Sequence, residues 1–413
     1  MKTHTVGTSE SEMSDHLFAD RACTPKMRAR EHFSKRIAAG KLARSGLVNA
    51  EVPSRFAQTI PMRSTISAGE ETIPAGEPAQ IEQLVAILRS IQDAKDQRKR
   101  PVPRNVHPKQ HGCVRAELVV ESGLPPALRQ GIFHHERSYT ALVRFSNAKQ
   151  PDDRLPDAHG MAIKVLDVEG EKMLEGKRNA TTQDFVLVDH PVFFVKNVAD
   201  FIPLAHDFRR LMIGGALSKV RTVLKAAFSR DYRFRLLRKV AAKRPNSPLE
   251  IRYWSMTPFR FGKAAMKFAV RPQFDSGQVV RSKSADMFRA ALKERLHQGE
   301  ARFDFLVQLQ ADPLTTPIED PTIEWRDREA PFRKVGTLRI PRQDFDSPAQ
   351  LTFGENLSFT PWHALADHQP LGGINRARKV IYEAMSARRR ELNEASRLEP
   401  TVEEARGKWP LSV

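Results

Sequence analysis

The chain has 413 residues, 40% of them hydrophobic and 28% charged, which is enough to pack one large domain or two ordinary ones. Its net charge of +18 suits an anionic partner, such as nucleic acid, lipid headgroups, or a ligand that bears carboxylates or phosphates, and equally a basic proteome or a solvated surface. Two cysteines, no long apolar run and no secretory signal argue against a disulfide framework and a membrane span, so a cytoplasmic protein is expected.

The chain begins with a polar stretch of weak periodicity. Residues 1–75 are predicted to form a largely irregular arm, with one short helix near 29–45. From Ile81 onwards apolar residues recur at helical spacing, which predicts the first strong helix. We therefore place one folded domain at residues 76–396 and a tail at 397–413.

Eight segments of that domain alternate apolar and polar residues between glycine, proline and charged turns, which is typical of strands. The predicted strands are 114–121, 140–147, 160–170, 183–190, 250–256, 264–272, 301–310 and 332–341. Helices are predicted at about 198–243, between the two groups of four strands, and at 284–297 and 373–396. Eight antiparallel strands close readily into a barrel without exposed edges. The predicted fold class is α+β, with a mainly β core formed by an eight-stranded antiparallel barrel that helices surround.

Two histidines four residues apart, His107 and His111, precede the first predicted strand. A metal-binding pair at this spacing requires a helix. Pro101, Pro103 and Pro108 exclude one, because proline disfavours helix at its own position and at the residue before it. The segment is predicted to be extended or looped, and its role depends on the rest of the chain.

Three blocks of the sequence taken together resemble the haem-dependent catalase superfamily over about residues 100–395. The first is RNVHPKQHG; the second is VRFSNA, DAHGMAIKV and QDFVLVDHPVFFVKNVADF; the third is NRARKVIYEAMSARR. The chain looks most like the shorter bacterial members and the related fatty-acid hydroperoxide enzymes, the allene oxide synthases. The resemblance implies a haem b cofactor whose proximal ligand lies on the C-terminal helix.

The resemblance assigns roles on both sides of the haem. His107 matches the distal histidine, which moves a proton between the peroxide oxygens, and Ser146 would orient its ring. Tyr382 matches the proximal ligand of the iron. Arg378 lies one helical turn before Tyr382 on the same face, where its charge would favour the phenolate.

Further residues match positions that hold the cofactor in the family. Arg104, Arg144 and Arg389 match the arginines that bind the haem propionates, which are carboxylates suited to bidentate contacts. Phe201 matches an aromatic residue on the haem face, and a core phenylalanine is the alternative interpretation. His111 matches no functional position.

The match fails at the distal asparagine that helps a typical catalase to bind peroxide. Counting from Pro191, that position falls on Val188, or on Asp189 if the alignment shifts by one residue. Valine donates no hydrogen bond. An ionised aspartate would repel the electron-rich oxygen of a peroxide but could assist the histidine, so Asp189 is a candidate catalytic residue. This departure favours peroxidase chemistry or organic hydroperoxides over efficient disproportionation of hydrogen peroxide.

The resemblance thus implies an oxidoreductase of the oxidative stress response that decomposes hydrogen peroxide or lipid hydroperoxides. The alternatives are an enzyme that rearranges fatty-acid hydroperoxides and a haem-binding protein without turnover. A homo-oligomer is expected because catalase relatives are commonly oligomeric. No nucleic-acid partner is expected, since no binding motif accompanies the charge.

One basic stretch has two interpretations. Residues 206–244 contain 12 Lys and Arg against 2 Asp and Glu, interleaved with large apolar residues. Such a helix can lie peripherally on an anionic membrane surface, close to lipid hydroperoxides. It can equally be a solvated helix face on the outside of the barrel.

Overall fold

The computed structural model describes residues 69–96, 101–229, 231–241, 243–273, 283–395 and 399–407. All of them belong to one unit of the chain, residues 64–413. The helix predicted near 29–45 and nearly all of the predicted arm lie outside the described residues. Of the predicted tail, the structure describes 399–407.

The described residues form nine strands that pair antiparallel throughout. They are β1 (Lys109–Val120), β2 (Ser138–Asn147), β3 (His159–Leu166), β4 (Thr182–Val188), β5 (Tyr253–Trp254), β6 (Phe259–Phe261), β7 (Ala264–Pro272), β8 (Ala301–Leu309) and β9 (Phe332–Ile340). Their order in the sheet is β5-β4-β3-β2-β1-β9-β8-β7-β6.

The short strand β5 closes the sheet into a barrel. Trp254 pairs with Val188 of β4 on one side and with Ala269 of β7 on the other. Eight strands form the closed ring, and β6 is a hairpin partner of β7 outside it. The predicted eight-stranded antiparallel barrel is therefore confirmed.

Aromatic side chains fill the barrel interior. The ring of Phe185 lies 5.0 Å from that of Phe305 and 5.2 Å from that of Phe268, centroid to centroid. All three are buried together with Phe133 and Tyr253. Because alternate residues of each strand point inward, the interior is a packed core, as is usual for eight strands, and a site must lie outside it.

Eight helices of the described residues surround this barrel. They are α1 (Glu77–Asp96), α2 (Val198–Ile213), α3 (Ala216–Phe228), α4 (Tyr232–Ala241), α5 (Met287–Gln298), α6 (Pro348–Asn356), α7 (Gly373–Asn393) and α8 (Val402–Ala405). The helical stretch predicted at 198–243 is divided into three, with Gly214 and Gly215 between the first two. None of the described helices is both long and apolar enough to cross a bilayer.

The position of α7 is fixed at its first turn and along its side. Arg376 forms ion pairs with Glu71 and Glu77, which lie just before and at the start of α1, and with Glu319, from a distant part of the chain. Further along α7, Ala377 is buried in an apolar cluster that α1 and α2 share. A helix held in this way can present side chains at defined positions.

Candidate active site

The segment that precedes β1 lies along α7. The Val102 backbone N–H donates to Asn393 Oδ1 at 2.7 Å, and Asn393 Nδ2 donates back to the Val102 carbonyl at 2.9 Å. Asn105 Nδ2 donates to Met385 Sδ at 3.0 Å. The segment is not helical, as its prolines predicted, and these contacts bring His107 near the last turns of α7.

His107 is held by its backbone and by a serine. Its φ of +59° lies in the left-handed region, which costs a non-glycine residue roughly 1–2 kcal/mol. Its N–H donates to the Ala148 carbonyl at 2.9 Å, which helps to offset that cost. Ser146 Oγ lies 3.1 Å from His107 Nδ1, so the predicted pair is brought together. Nε2 is left as the ring nitrogen that can exchange a proton.

A glycine makes room for the His107 ring. Gly160 of β3 pairs with Ser146 of β2, and a Cβ at Gly160 would lie 2.5 Å from two ring atoms of His107. No side chain fits there without displacing the imidazole. Position 160 was not singled out as functional from the sequence, although the glycine lies inside the second block that carries the resemblance.

Burial sets the protonation state of His107. Burial first, and then the positive charge of Arg144, lower the pKa of His107 to about 3 from the ordinary value of 6.5. The imidazole is therefore neutral at physiological pH. A neutral ring can accept a proton and return it, as an acid–base catalyst must.

The strand register separates the two candidates for the missing asparagine. Val188 of β4 pairs with Gly160, so its side chain lies on the same face of the sheet as Ser146, beside the His107 ring. Asp189 is buried, and its Oδ2 lies 2.8 Å from Nδ1 of His159. The geometry thus places an apolar residue next to His107, while the Asp189 carboxylate is bonded to a different histidine.

His111 belongs to a buried polar cluster. Its Nε2 lies 2.9 Å from Asn147 Oδ1, and its ring meets Phe288 edge-on at 5.1 Å between centroids. Burial lowers the pKa of His111 well below its usual value. His111 is therefore a neutral core residue, and its bonds do not lead to His107.

On α7, an arginine is fixed against a tyrosine. Arg378 Nη2 donates to Tyr382 Oη at 3.3 Å. Its other nitrogen, Nη1, donates to Thr257 Oγ1 at 3.1 Å and to Asn375 Oδ1 at 3.0 Å. Arg378 is buried and Tyr382 is half-buried. Arg378 thus meets Tyr382 one helical turn away, as the spacing in the sequence predicted.

Three arginines from distant parts of the chain converge on one carboxylate. Glu355, near the end of α6, lies 3.3 Å from Arg104, 3.2 Å from Arg144 and 3.1 Å from Arg389. Arg389 lies two helical turns beyond Tyr382, about 10 Å along the same face of α7. The sequence predicted that the three arginines act together, but it gave no sign of Glu355.

The arginine cluster carries more positive charge than its carboxylate neutralises. Burial, and then the neighbouring charge of Arg144, lower the pKa of Arg104 to about 9. Arg104 Nε is buried and makes no hydrogen bond within the described residues, although it lies at ion-pair distance from Glu355. A buried unsatisfied donor and an excess of guanidinium groups fit a carboxylate-bearing ligand.

Phe201 lies in an aromatic cluster. Its ring is 5.3 Å from that of Phe194 and 6.1 Å from that of Phe193, both edge-on. It is half-buried and also packs against the cluster that α1, α2 and α7 share. The geometry suits a core phenylalanine, and contact with a cofactor stays a prediction.

Comparison with known proteins establishes the fold. No protein-family model and no curated protein matches the chain. A fungal catalase of known structure matches with a TM-score of 0.53 and 17% identity, over 86% of this chain and 75% of that one. A bacterial catalase matches with a TM-score of 0.51 and 17% identity, over 83% of this chain and 68% of that one. The chain therefore has a catalase-like fold.

Proposed function

We propose that the chain binds haem b at this site and uses it to decompose peroxides. The observation that carries the proposal is the convergence of Arg104, Arg144 and Arg389 on Glu355, with Arg389 two turns of α7 beyond a tyrosine that an arginine contacts. Three guanidinium groups suit the two propionates of haem, and an arginine-supported phenolate suits ferric iron. His107 then lies in the same region as a neutral acid–base group.

Each residue has a separate task in this proposal. Tyr382 would ligate the iron, Arg378 would donate a hydrogen bond to the ligating oxygen, and the three arginines would hold the propionates. Bound haem would supply the two electrons that cleave the O–O bond of a peroxide, and a second peroxide molecule or a small reductant would return them. Nε2 of His107 would take the proton of the attacking peroxide oxygen and deliver it to the leaving oxygen. Ser146 would keep the ring in the tautomer that leaves Nε2 free.

The valine beside His107 favours organic hydroperoxides as substrates. Val188 cannot donate the hydrogen bond that a small polar peroxide needs, whereas an apolar wall suits an alkyl chain. The same feature is compatible with rearrangement of a fatty-acid hydroperoxide to an allene oxide. Product analysis separates the two, because a peroxidase yields the alcohol and a rearrangement yields an epoxide without consuming a reductant.

The test is reconstitution of the full chain with haem, followed by absorption spectroscopy and turnover. We expect one haem per chain, a high-spin ferric spectrum, and a kcat/KM for a long-chain fatty-acid hydroperoxide at least about tenfold above that for hydrogen peroxide. Haem uptake without turnover of either substrate would indicate a binding protein. Failure to take up haem would refute the proposal.

Replacing Glu355 with glutamine is expected to tighten haem binding. The Glu355 carboxylate competes with propionates for the same three arginines, so its removal should lower the Kd for haem about five- to tenfold. The haem-free protein should lose roughly 1 kcal/mol or less of unfolding free energy, because Glu355 is one-third exposed. Haem titration followed at the Soret band and thermal unfolding of the haem-free protein measure the two effects.

The matched control for this variant is Glu319→Gln. Glu319 is also about one-third exposed and pairs with an arginine, Arg376, outside the cluster. It should change stability without changing the haem Kd. A weaker haem affinity in Glu355→Gln would show that the glutamate supports the cofactor site rather than competing for it.

A further inference from the structure

Helix α3 turns its large apolar residues away from the protein. Five of them, which we call the α3 stripe, have between 51% and 81% of their surface exposed: Leu217, Val220, Val223, Leu224 and Phe228. The side chains that face the protein are small, with Thr222 buried and Ser218 and Ala226 half-buried. This is the reverse of a helix that packs on a core, whose apolar face points inward.

The α3 stripe is continuous and has basic edges. At about 100° per residue its side chains occupy roughly 140° of the helix circumference. Arg221 and Lys225 follow along one edge, and Lys219 follows along the other. Long basic side chains at the borders of an apolar face are typical of helices that lie in the plane of a lipid interface.

The acidic residues of the surrounding stretch are already paired. Asp207 is buried and accepts from Arg210 at 3.0 Å and from Lys225 at 2.6 Å. Asp231 pairs with Arg233. The stretch of 12 cations and 2 anions therefore presents an excess of positive charge to its surroundings.

Several of these cations have no acidic partner. Four of them, on α3 and α4, lie beyond ion-pair distance of any carboxylate in the described part of the chain: Lys219, Arg221, Arg235 and Lys239. All four are exposed. They can approach an anionic surface without first breaking an ion pair.

Helix α4 holds α3 in place. Arg238 of α4 donates to the carbonyls of Ala226, Ala227 and Ser229, at the C-terminal end of α3. Phe234 of α4 is buried in an apolar cluster that includes Ala226. The α3 stripe is thus presented on a helix whose end is capped and whose inner face is packed.

We propose that the α3 stripe and its basic edges form a docking surface for an anionic lipid bilayer. The apolar side chains would enter the boundary between headgroups and acyl chains, while the cations meet the lipid phosphates and carboxylates. Charge argues against two other occupants. A second copy of the chain that bound through the same surface would bring two strongly basic surfaces together. Residues 1–68 would also be repelled by the basic edges of the stripe, because they contain 11 Lys and Arg against 6 Asp and Glu. The proposal uses no residue of the candidate active site and does not depend on haem.

The test is co-sedimentation of the full chain with vesicles of phosphatidylcholine alone or with about one-third phosphatidylserine. We expect the mixed vesicles to bind at least about tenfold more tightly, with an affinity that falls as salt rises. Leu224→Ser/Phe228→Ser and Lys219→Glu/Arg221→Glu should each weaken binding at least about tenfold. Both double variants should melt like the wild type, because the altered side chains are exposed.

Matched controls lie elsewhere on the surface. Leu314→Ser removes an apolar side chain that is 71% exposed, and Arg333→Glu reverses an exposed charge on β9. Neither should change vesicle binding. Absence of binding by the wild type, or equal losses in the controls and the stripe variants, would overturn the proposal. An oligomer that the stripe variants dissociate, without vesicle binding, would assign the α3 stripe to self-association instead.

Discussion

Replacing His107 with glutamine is expected to lower kcat for peroxide decomposition by about 10²- to 10⁴-fold in the haem-loaded protein. Glutamine can form hydrogen bonds but cannot accept a proton from one peroxide oxygen and deliver it to the other. Haem content should stay unchanged, since His107 is not one of the residues proposed to hold the cofactor. Stopped-flow turnover at matched haem concentration measures the effect, with His135→Gln, an exposed histidine, as the control.

The pH dependence of peroxide turnover is a second test of the role of His107. Because burial and Arg144 lower its pKa to about 3, the ring should stay neutral throughout the range in which an ordinary histidine titrates. The kcat/KM of the wild type should therefore be flat between about pH 5 and pH 8. The pKa of His107 is lower in the folded protein than in the unfolded chain, so below about pH 6.5 the unfolded chain binds the proton more readily. The contribution of His107 to the free energy of unfolding therefore falls as the pH drops below about 6.5. Turnover of His107→Gln at the wild-type rate would remove the histidine from the mechanism.

The variant Ser146→Ala tests whether Ser146 only positions the His107 ring or also takes part in catalysis. Among the described residues, the side-chain hydroxyl of Ser146 forms its hydrogen bond with Nδ1 of His107, so its loss should let the ring turn without removing the acid–base group. An intermediate loss of kcat is expected, smaller than that of His107→Gln. A loss of equal size would mean that the hydroxyl itself contacts the substrate.

Replacing Tyr382 with phenylalanine is expected to weaken haem binding at least about 100-fold and to abolish the tyrosinate-type ferric spectrum. Partners of metal ligands typically contribute 10- to 100-fold to affinity, and the ligand itself should contribute more. Tyr232→Phe, a partly exposed tyrosine on α4, is the control and should bind haem like the wild type. Haem titration and magnetic circular dichroism measure affinity and ligation independently of activity.

Arg378 should act through Tyr382. Its guanidinium is fixed by Thr257 and Asn375 and donates to the phenol oxygen. Arg378→Met should therefore weaken haem binding about 10- to 100-fold, because the phenol oxygen loses its hydrogen-bond donor. An unchanged spectrum in Tyr382→Phe would show that another residue ligates the iron, and the proposed cofactor site would have to be abandoned.

Local patterns in the sequence were sufficient to predict the barrel. Alternation along a strand follows from backbone geometry, so segments such as 264–272 and 301–310 could be located almost to the residue. Proline chemistry is equally local, and it excluded a helix around His107. The i, i+4 relation of Arg378 and Tyr382 needed only the helical period.

Elements that depend on distant partners were predicted less well. The strand predicted at 250–256 is reduced to Tyr253–Trp254, because closure of the barrel requires only the pairing of these residues with β4 and β7. The first strand begins at Lys109 rather than at 114, since its early residues pair with the end of β2 across a bulge.

The sequence by itself determined most of the strands and long helices, the barrel and, through a resemblance, most of the candidate site residues. Only the tertiary structure decided which of them meet. It put Val188 on the face of the sheet that holds Ser146 and bonded Asp189 to His159, because strand register fixes which face each side chain takes. It also brought Glu355 into the arginine cluster, a contact between α6, α7, β2 and the segment before β1. Periodicity is a property of residues close together in the sequence. Which side chains meet in the folded protein depends on how distant elements pack, and this cannot be predicted from a local pattern.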